Sequence, residues 1–250
     1  MIISDSFTTS LLNTKSFHYT VILPPGFSHC LFWLHGYREQ VSHILAVSNL
    51  KTLAYQYQIA VILPDFPDTY YFNQPWNHCY TEQCFIHEFL PCVQKKYSLP
   101  NTPNHVFIAG ASMGGFGSLL LGSRNPDIFG KIASISGAFI IDDLIIGNPE
   151  VTGGGHNIVY FQNLFGDIPS LNECPDRNPM SAATRALKLG KLPPIFAGCG
   201  RHDMLYSRNI RLRDRLTYLG ADIKWMDTEG IHDWICFNRM LEPVFAWFLS

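Results

Sequence analysis

Gly110-Ala111-Ser112-Met113-Gly114 is a G-x-S-x-G pentapeptide between the apolar run His105-Val106-Phe107-Ile108-Ala109 and a helix-like stretch from Phe116 to Ser123. A serine on a strand-to-helix turn of this kind is held in strained backbone geometry, with its hydroxyl lifted clear of the sheet. The flanking glycines are needed because side chains there would collide with the neighbouring strand and helix. The turn also opens a helix, whose unpaired N–H groups and macrodipole favour negative charge developing beside Ser112. Such an arrangement suits attack by the serine on an acyl carbon. A phosphate loop fits less well, because no Lys-Ser/Thr pair follows the glycines.

A serine hydroxyl is a poor nucleophile until an imidazole takes its proton, and the imidazole needs a carboxylate to fix its tautomer. Of the ten histidines, His202 and His232 come late enough after Ser112 to follow strands. His232 lies in Glu229-Gly230-Ile231-His232-Asp233-Trp234, between the apolar run Ile223 to Met226 and a final helix, and is the expected base. For the acid, Asp203 follows the run Ile195 to Cys199 through Gly200-Arg201-His202, at a strand's C-terminal end, where open α/β sheets bind ligands. Asp227 is the alternative, disfavoured because it precedes His232 by only five residues at the end of the same strand. His202 is read as a loop histidine.

The tetrahedral oxyanion formed by such an attack needs two N–H donors. Met113 is expected to supply one. Tyr37, in His35-Gly36-Tyr37 after the run Cys30 to Leu34, is the candidate for the other, with His35 bracing the loop. The aromatic stretch Tyr70-Tyr71-Phe72-Asn73-Gln74-Pro75-Trp76 reads equally as a pocket wall and as a surface loop packed on its own rings. Trp76, and Met204 and Trp234 beside the acid and base, are the candidate substrate contacts. His78, Cys79, Cys84, His87 and Cys92 crowd one segment, but no C-x-x-C pair accompanies them, and they read as core and surface residues. No metal and no cofactor are expected.

The elements that must position these groups are short apolar runs: Phe17 to Leu23, Cys30 to Leu34, Ile59 to Leu63, Val106 to Ala109, Ile132 to Ile135, Ile195 to Cys199 and Ile223 to Met226. Most are too continuous to have a wet face. Helix-like stretches lie between them: His43 to Tyr57, Thr81 to Tyr97, Gly114 to Ser123, Ser207 to Leu219 and about Asp233 to Phe248. The alternation predicts one α/β domain over residues 1–250, with a mainly parallel central sheet and helices on both faces. From Ala138 to about Asn178 the rhythm fails, with Gly153-Gly154-Gly155, several prolines and no clear period; this reads as a cap-like excursion over the site.

The chain has 250 residues, 47% apolar and 15% charged, with a formal net charge of −2. It can bury a sizeable core, and no run of like charge suggests nucleic acid or an anionic membrane as partner. Neither a signal peptide nor a spanning segment is evident. The seven scattered cysteines suit reduced thiols better than a disulfide framework, so a soluble cytoplasmic protein is expected.

Taken as ordered blocks, Leu34-His35-Gly36, Ile108 to Gly117 around Ser112, Ala133-Ser134-Ile135-Ser136-Gly137-Ala138, Cys199 to Tyr206 and His232-Asp233-Trp234 span nearly the whole chain. In these the sequence resembles the putative-esterase (esterase D-like) branch of α/β-hydrolases, especially small tributyrin-type esterases of bacteria. The resemblance implies an α/β-hydrolase fold and a serine carboxylesterase. It would cleave short-chain acyl esters through an acyl-enzyme, with Ser112, Asp203 and His232 as triad and no cofactor. Relatives that act as S-formylglutathione hydrolases, feruloyl or acetyl-xylan esterases and acyltransferases make those the alternatives, with a silent binding module further off. Homo-oligomers are common in this branch, although no decisive interface patch is legible. One departure stands out. The His-Gly loop continues Tyr37-Arg38-Glu39-Gln40, where many relatives carry small residues or glycine.

Overall fold

The computed structural model describes residues 1–148 and 157–250, so the glycine triplet Gly153-Gly154-Gly155 lies outside the described residues. Eight strands form the main sheet: β1 (Ile2–Thr8), β2 (Ser16–Ile22), β3 (His29–Leu34), β4 (Ile59–Pro64), β5 (Val106–Ala111), β6 (Lys131–Ile135), β7 (Ile195–Gly200) and β8 (Ile223–Thr228). Their spatial order is β1-β2-β4-β3-β5-β6-β7-β8. β2 runs antiparallel to both β1 and β4, and every other neighbouring pair is parallel.

Parallel strands need crossovers, and the crossovers cover both faces, which is why the central strands are buried at nearly every position. In β3 the side chains alternate: Cys30, Phe32 and Leu34 enter one core layer, Leu31 and Trp33 the other. The first layer packs under the helical run Thr81–Gln83, Cys84–Phe89 and Leu90–Tyr97 (together α3) and under α4 (Met113–Arg124). The second packs under α1 (Val41–Val47), α2 (Leu50–Tyr57) and α9 (Trp234–Phe248).

The elements differ from the sequence expectation in identifiable ways. The stretch His43 to Tyr57 is two helices: Ser48 is extended, and Asn238 of α9 holds the break, accepting the Asn49 N–H at 2.9 Å and donating to the Val47 carbonyl at 2.8 Å. α3 widens to a π-helix over Cys84–Phe89, just before Pro91, whose missing N–H disrupts the ordinary ladder. β1 was not anticipated, because its faces alternate between exposed and half-buried with no continuous apolar run.

The excursion after Ala138 is also more regular than expected. It contains α5 (Ile141–Ile145), α6 (Ile158–Phe165) and a 3₁₀ turn at Pro169–Glu173. α7 (Pro179–Lys188) follows, with the Asn178 side chain capping the Met180 N–H at 3.0 Å and proline in the first turn. α8 (Tyr206–Tyr218) then leads from β7 to β8.

Candidate active site

β5 ends and α4 begins at Ser112, whose φ of 57° and ψ of −119° place a non-glycine residue in a sparsely populated region. The turn closes tightly enough that a Cβ on Gly114 would stand 2.0 Å from the Leu34 carbonyl oxygen, and one on Gly110 would stand 2.5 Å from the Gly114 carbonyl carbon. Backbone hydrogen bonds fix it from both sides: Ser112 N–H donates to Ile135 O at 3.0 Å, and Ser112 O accepts from Ala138 at 2.9 Å.

Three side chains from three strand ends meet above this turn. His232, after β8, places Nε2 3.0 Å from Ser112 Oγ, and its Nδ1 stands 2.7 Å from Asp203 Oδ2, after β7. The second Asp203 oxygen accepts the Leu205 N–H at 2.8 Å. Burial alone would raise the Asp203 carboxyl, but hydrogen bonds from His232, Leu205 and Ser136 hold it below its ordinary value, as a carboxylate. Ser112 and His232 are half-buried, open to an incoming molecule, whereas Asp203 is buried.

Asp227, the other acid weighed, faces elsewhere. It accepts from Arg201 Nε at 3.1 Å and from the Tyr206 hydroxyl at 3.1 Å. His202 joins the same exposed cluster through Glu229 at 3.1 Å. His35 is buried, with Nδ1 2.7 Å from Gly36 O and Nε2 2.7 Å from Phe66 O, so both ring nitrogens are engaged in holding the loop.

Met113 is the first residue of α4, where backbone N–H groups have no partner within the helix. The loop carrying Tyr37 lies across from it, since a Cβ on Gly36 would stand 3.6 Å from Ser112 Cβ. Tyr37 N–H belongs to the same planar peptide as Gly36 C=O. That carbonyl lies 2.7 Å from His35 Nδ1 and accepts the Glu39 N–H at 3.2 Å, which sets the plane and with it the direction of the Tyr37 N–H.

Beyond the elbow, the buried ring of Tyr70 packs at 5.0 Å from both Phe116 and Phe165, and the Tyr37 ring meets Tyr160 of α6 at 6.4 Å. Trp76 packs its indole on the end of α6, donating to Asn163 O at 2.8 Å, with Arg177 over its ring. Met204 is 74% exposed beside Asp203, and the Trp234 indole N–H donates to the Glu39 carboxylate. Glu39 is the residue at the site that sequence reasoning passed over; the unusual Tyr37-Arg38-Glu39-Gln40 loop was its signal. Among the described residues, no helix is long and apolar enough to cross a membrane.

The family described as "Putative esterase" matches residues 14–248. An acetyl esterase of Caldicellulosiruptor saccharolyticus is 30% identical over 219 residues, covering 87% of this chain and 82% of that protein. Among solved structures, an S-formylglutathione hydrolase of Staphylococcus aureus superposes with a TM-score of 0.86 at 22% identity, covering 100% of this chain and 99% of that one. A fluorophosphonate-binding serine hydrolase of the same organism gives 0.87 at 21% identity, covering 100% and 98%. The chain belongs to the "Putative esterase" family and is a carboxylic ester hydrolase on the α/β-hydrolase fold.

Proposed function

We propose that the chain hydrolyses short-chain acyl esters through an acyl-enzyme on Ser112. The observation that carries this reading is the unbroken chain Ser112 Oγ, His232, Asp203, with links of 3.0 and 2.7 Å, on a strained elbow at the strand ends. His232 Nε2 takes the hydroxyl proton as Ser112 Oγ bonds to the ester carbonyl carbon, and the carbonyl electron pair moves onto oxygen. The Met113 and Tyr37 N–H groups receive that oxyanion. Collapse breaks the bond to the alcohol oxygen, which leaves with the proton from His232. A water then repeats the sequence on the acyl-serine: His232 deprotonates it, and the acid departs as the proton returns to Ser112. Asp203 stays ionised throughout and holds Nδ1–H, so that Nε2 is the basic nitrogen.

Short acyl chains are the substrates this reading favours. The acetyl esterase relative points the same way. Turnover of p-nitrophenyl acetate and butyrate is the test. Ser112→Ala is expected to lower kcat by about four to six orders of magnitude with the fold intact by circular dichroism, and to abolish labelling by a fluorophosphonate. Near-normal turnover by that variant would falsify the assignment. Across p-nitrophenyl esters of increasing length, kcat/KM is expected to fall from butyrate to octanoate.

A further inference from the structure

Glu39 sits between two loops that the proposed reaction needs held together. Its Oε2 accepts the Gly36 N–H at 2.9 Å, and its Oε1 accepts the indole N–H of Trp234. The carboxylate is largely enclosed, with 15% of the side chain exposed, and the exposed His43 ring approaches Oε1 at 3.5 Å. On one side Gly36 begins the peptide that carries the Tyr37 N–H. On the other, Trp234 opens α9 two residues after His232. The Trp234 ring packs on Trp33 at 6.2 Å and on Phe237 at 5.6 Å, and Phe237 stands edge-on to the His232 imidazole at 5.2 Å. One carboxylate thus joins the oxyanion side of the site to the base side.

The two sides come from opposite ends of the chain and from strands separated in the sheet by β5, β6 and β7. Their relative placement decides whether an oxyanion can reach the Tyr37 N–H while the serine proton reaches His232. An error of about 1 Å in such an arrangement costs on the order of a hundredfold in rate. Glu39 is hydrogen-bonded to Gly36 and Trp234 rather than to Ser112 or His232, so its effect on their geometry must pass through the groups it holds.

We propose that Glu39 is a positioning residue, whose carboxylate brace between Gly36 N–H and Trp234 Nε1–H fixes the oxyanion loop relative to His232. This rests on the Ser112 reading above. A brace of this kind acts in the transition state more than in substrate binding, since the ground-state ester carbonyl carries little charge for the loop to stabilise.

The test compares Glu39→Ala, Glu39→Gln and Trp234→Phe, with kcat expressed per active serine counted by fluorophosphonate titration. Glu39→Ala is expected to lower kcat by roughly 10- to 100-fold while KM moves less than about threefold. Glu39→Gln should fall in between, because the amide oxygen can keep one N–H while the amide NH2 opposes the other. Trp234→Phe retains the ring and removes the donor; it should lower kcat and add little to Glu39→Ala, because both break the same brace. Affinity for a trifluoromethyl ketone, which binds as the tetrahedral adduct, should fall in proportion to kcat/KM. A purely structural role would instead reduce the titratable fraction and the melting temperature, leaving kcat per serine unchanged.

That last result would overturn the proposal, as would a KM rise at constant kcat or additive losses in the double variant. If Glu39→Ala does not fold, Glu39→Gln and Trp234→Phe decide by the same criteria. Ser112→Ala run in parallel separates the two readings. Turnover surviving there refutes the nucleophile, whereas full activity in the Glu39 variants with Ser112→Ala dead refutes only the brace.

Discussion

Asp203 and Asp227 stand at the C-terminal ends of adjacent parallel strands, yet only one is connected to His232. The difference is electrostatic as well as geometric. Asp203 is buried, and its charge is sustained by donors that leave one oxygen for Nδ1. Asp227 is committed first to Arg201 and then to Tyr206, on an exposed edge. Asp203→Asn should therefore present the wrong tautomer of His232 to Ser112 and lower kcat by about 10⁴-fold without unfolding the protein. Asp227→Asn should leave kcat within about twofold and cost at most about 1 kcal/mol of stability, as exposed pairs do. Steady-state kinetics of the two variants checks this, and equal losses would undo the assignment of the acid. The residues of this site were legible in the sequence because each sits where an apolar run ends, in the order serine, acid, histidine. Glu39 was legible only as part of an unusual loop; its contact was not, since its partner Trp234 lies 195 positions away in the sequence.

Elements whose stability is local were readable, and those defined by distant partners were not. β3 to β7 are continuous apolar runs buried at nearly every position, and their pattern alone assigns them. β1 owes its existence to pairing with β2 from Ile2↔Ile22 to Thr8↔Ser16, and α1 and α2 are separated by Asn238 from the far end of the chain. α7 is a different case. Asn178-Pro179 is a cap followed by a first-turn proline, a start signal that stands where the irregular stretch ends, with no helix expected after it. At the elbow, sequence and structure agree most closely, because glycine there is dictated by contact. A Cβ at Gly114 would lie 2.0 Å from Leu34 O, between two elements that cannot separate without breaking the β3–β5 pairing. Gly114→Ala should thus destabilise by about 3 kcal/mol or more, read as a drop in the denaturant midpoint. A midpoint within error of the wild type would mean that the elbow is looser than its contacts indicate.

Across the whole molecule, the segment that carries Asp203 also anchors the excursion after Ala138. Asn209 of α8 is buried and holds the Gly137 backbone at both ends, accepting its N–H at 3.0 Å and donating to its carbonyl at 2.9 Å. Arg208 binds the Asp143 carboxylate of α5 and, at 2.8 Å, the Met204 carbonyl next to Asp203. Arg211 reaches the other Asp143 oxygen at 2.9 Å. Burial by itself would raise the Asp143 carboxyl, but the hydrogen bonds and charges of Arg208 and Arg211 outweigh it and hold the group below the ordinary value. A carboxyl depressed on folding contributes stability that is complete above the unfolded value of about 3.9 and is lost as pH falls through the folded value, because the unfolded chain then takes up the proton first. Asp143→Asn removes that contribution and strips a buried guanidinium of its carboxylate, which should cost roughly 3–5 kcal/mol at pH 7. As pH falls through the folded value, Asp143 of the wild type is itself neutralised, so the stability gap between wild type and variant should narrow. Urea unfolding at stepped pH measures the gap directly. A gap that stays constant with pH would show that Asp143 holds α5 through packing alone and that the ion pair contributes nothing to anchoring the excursion.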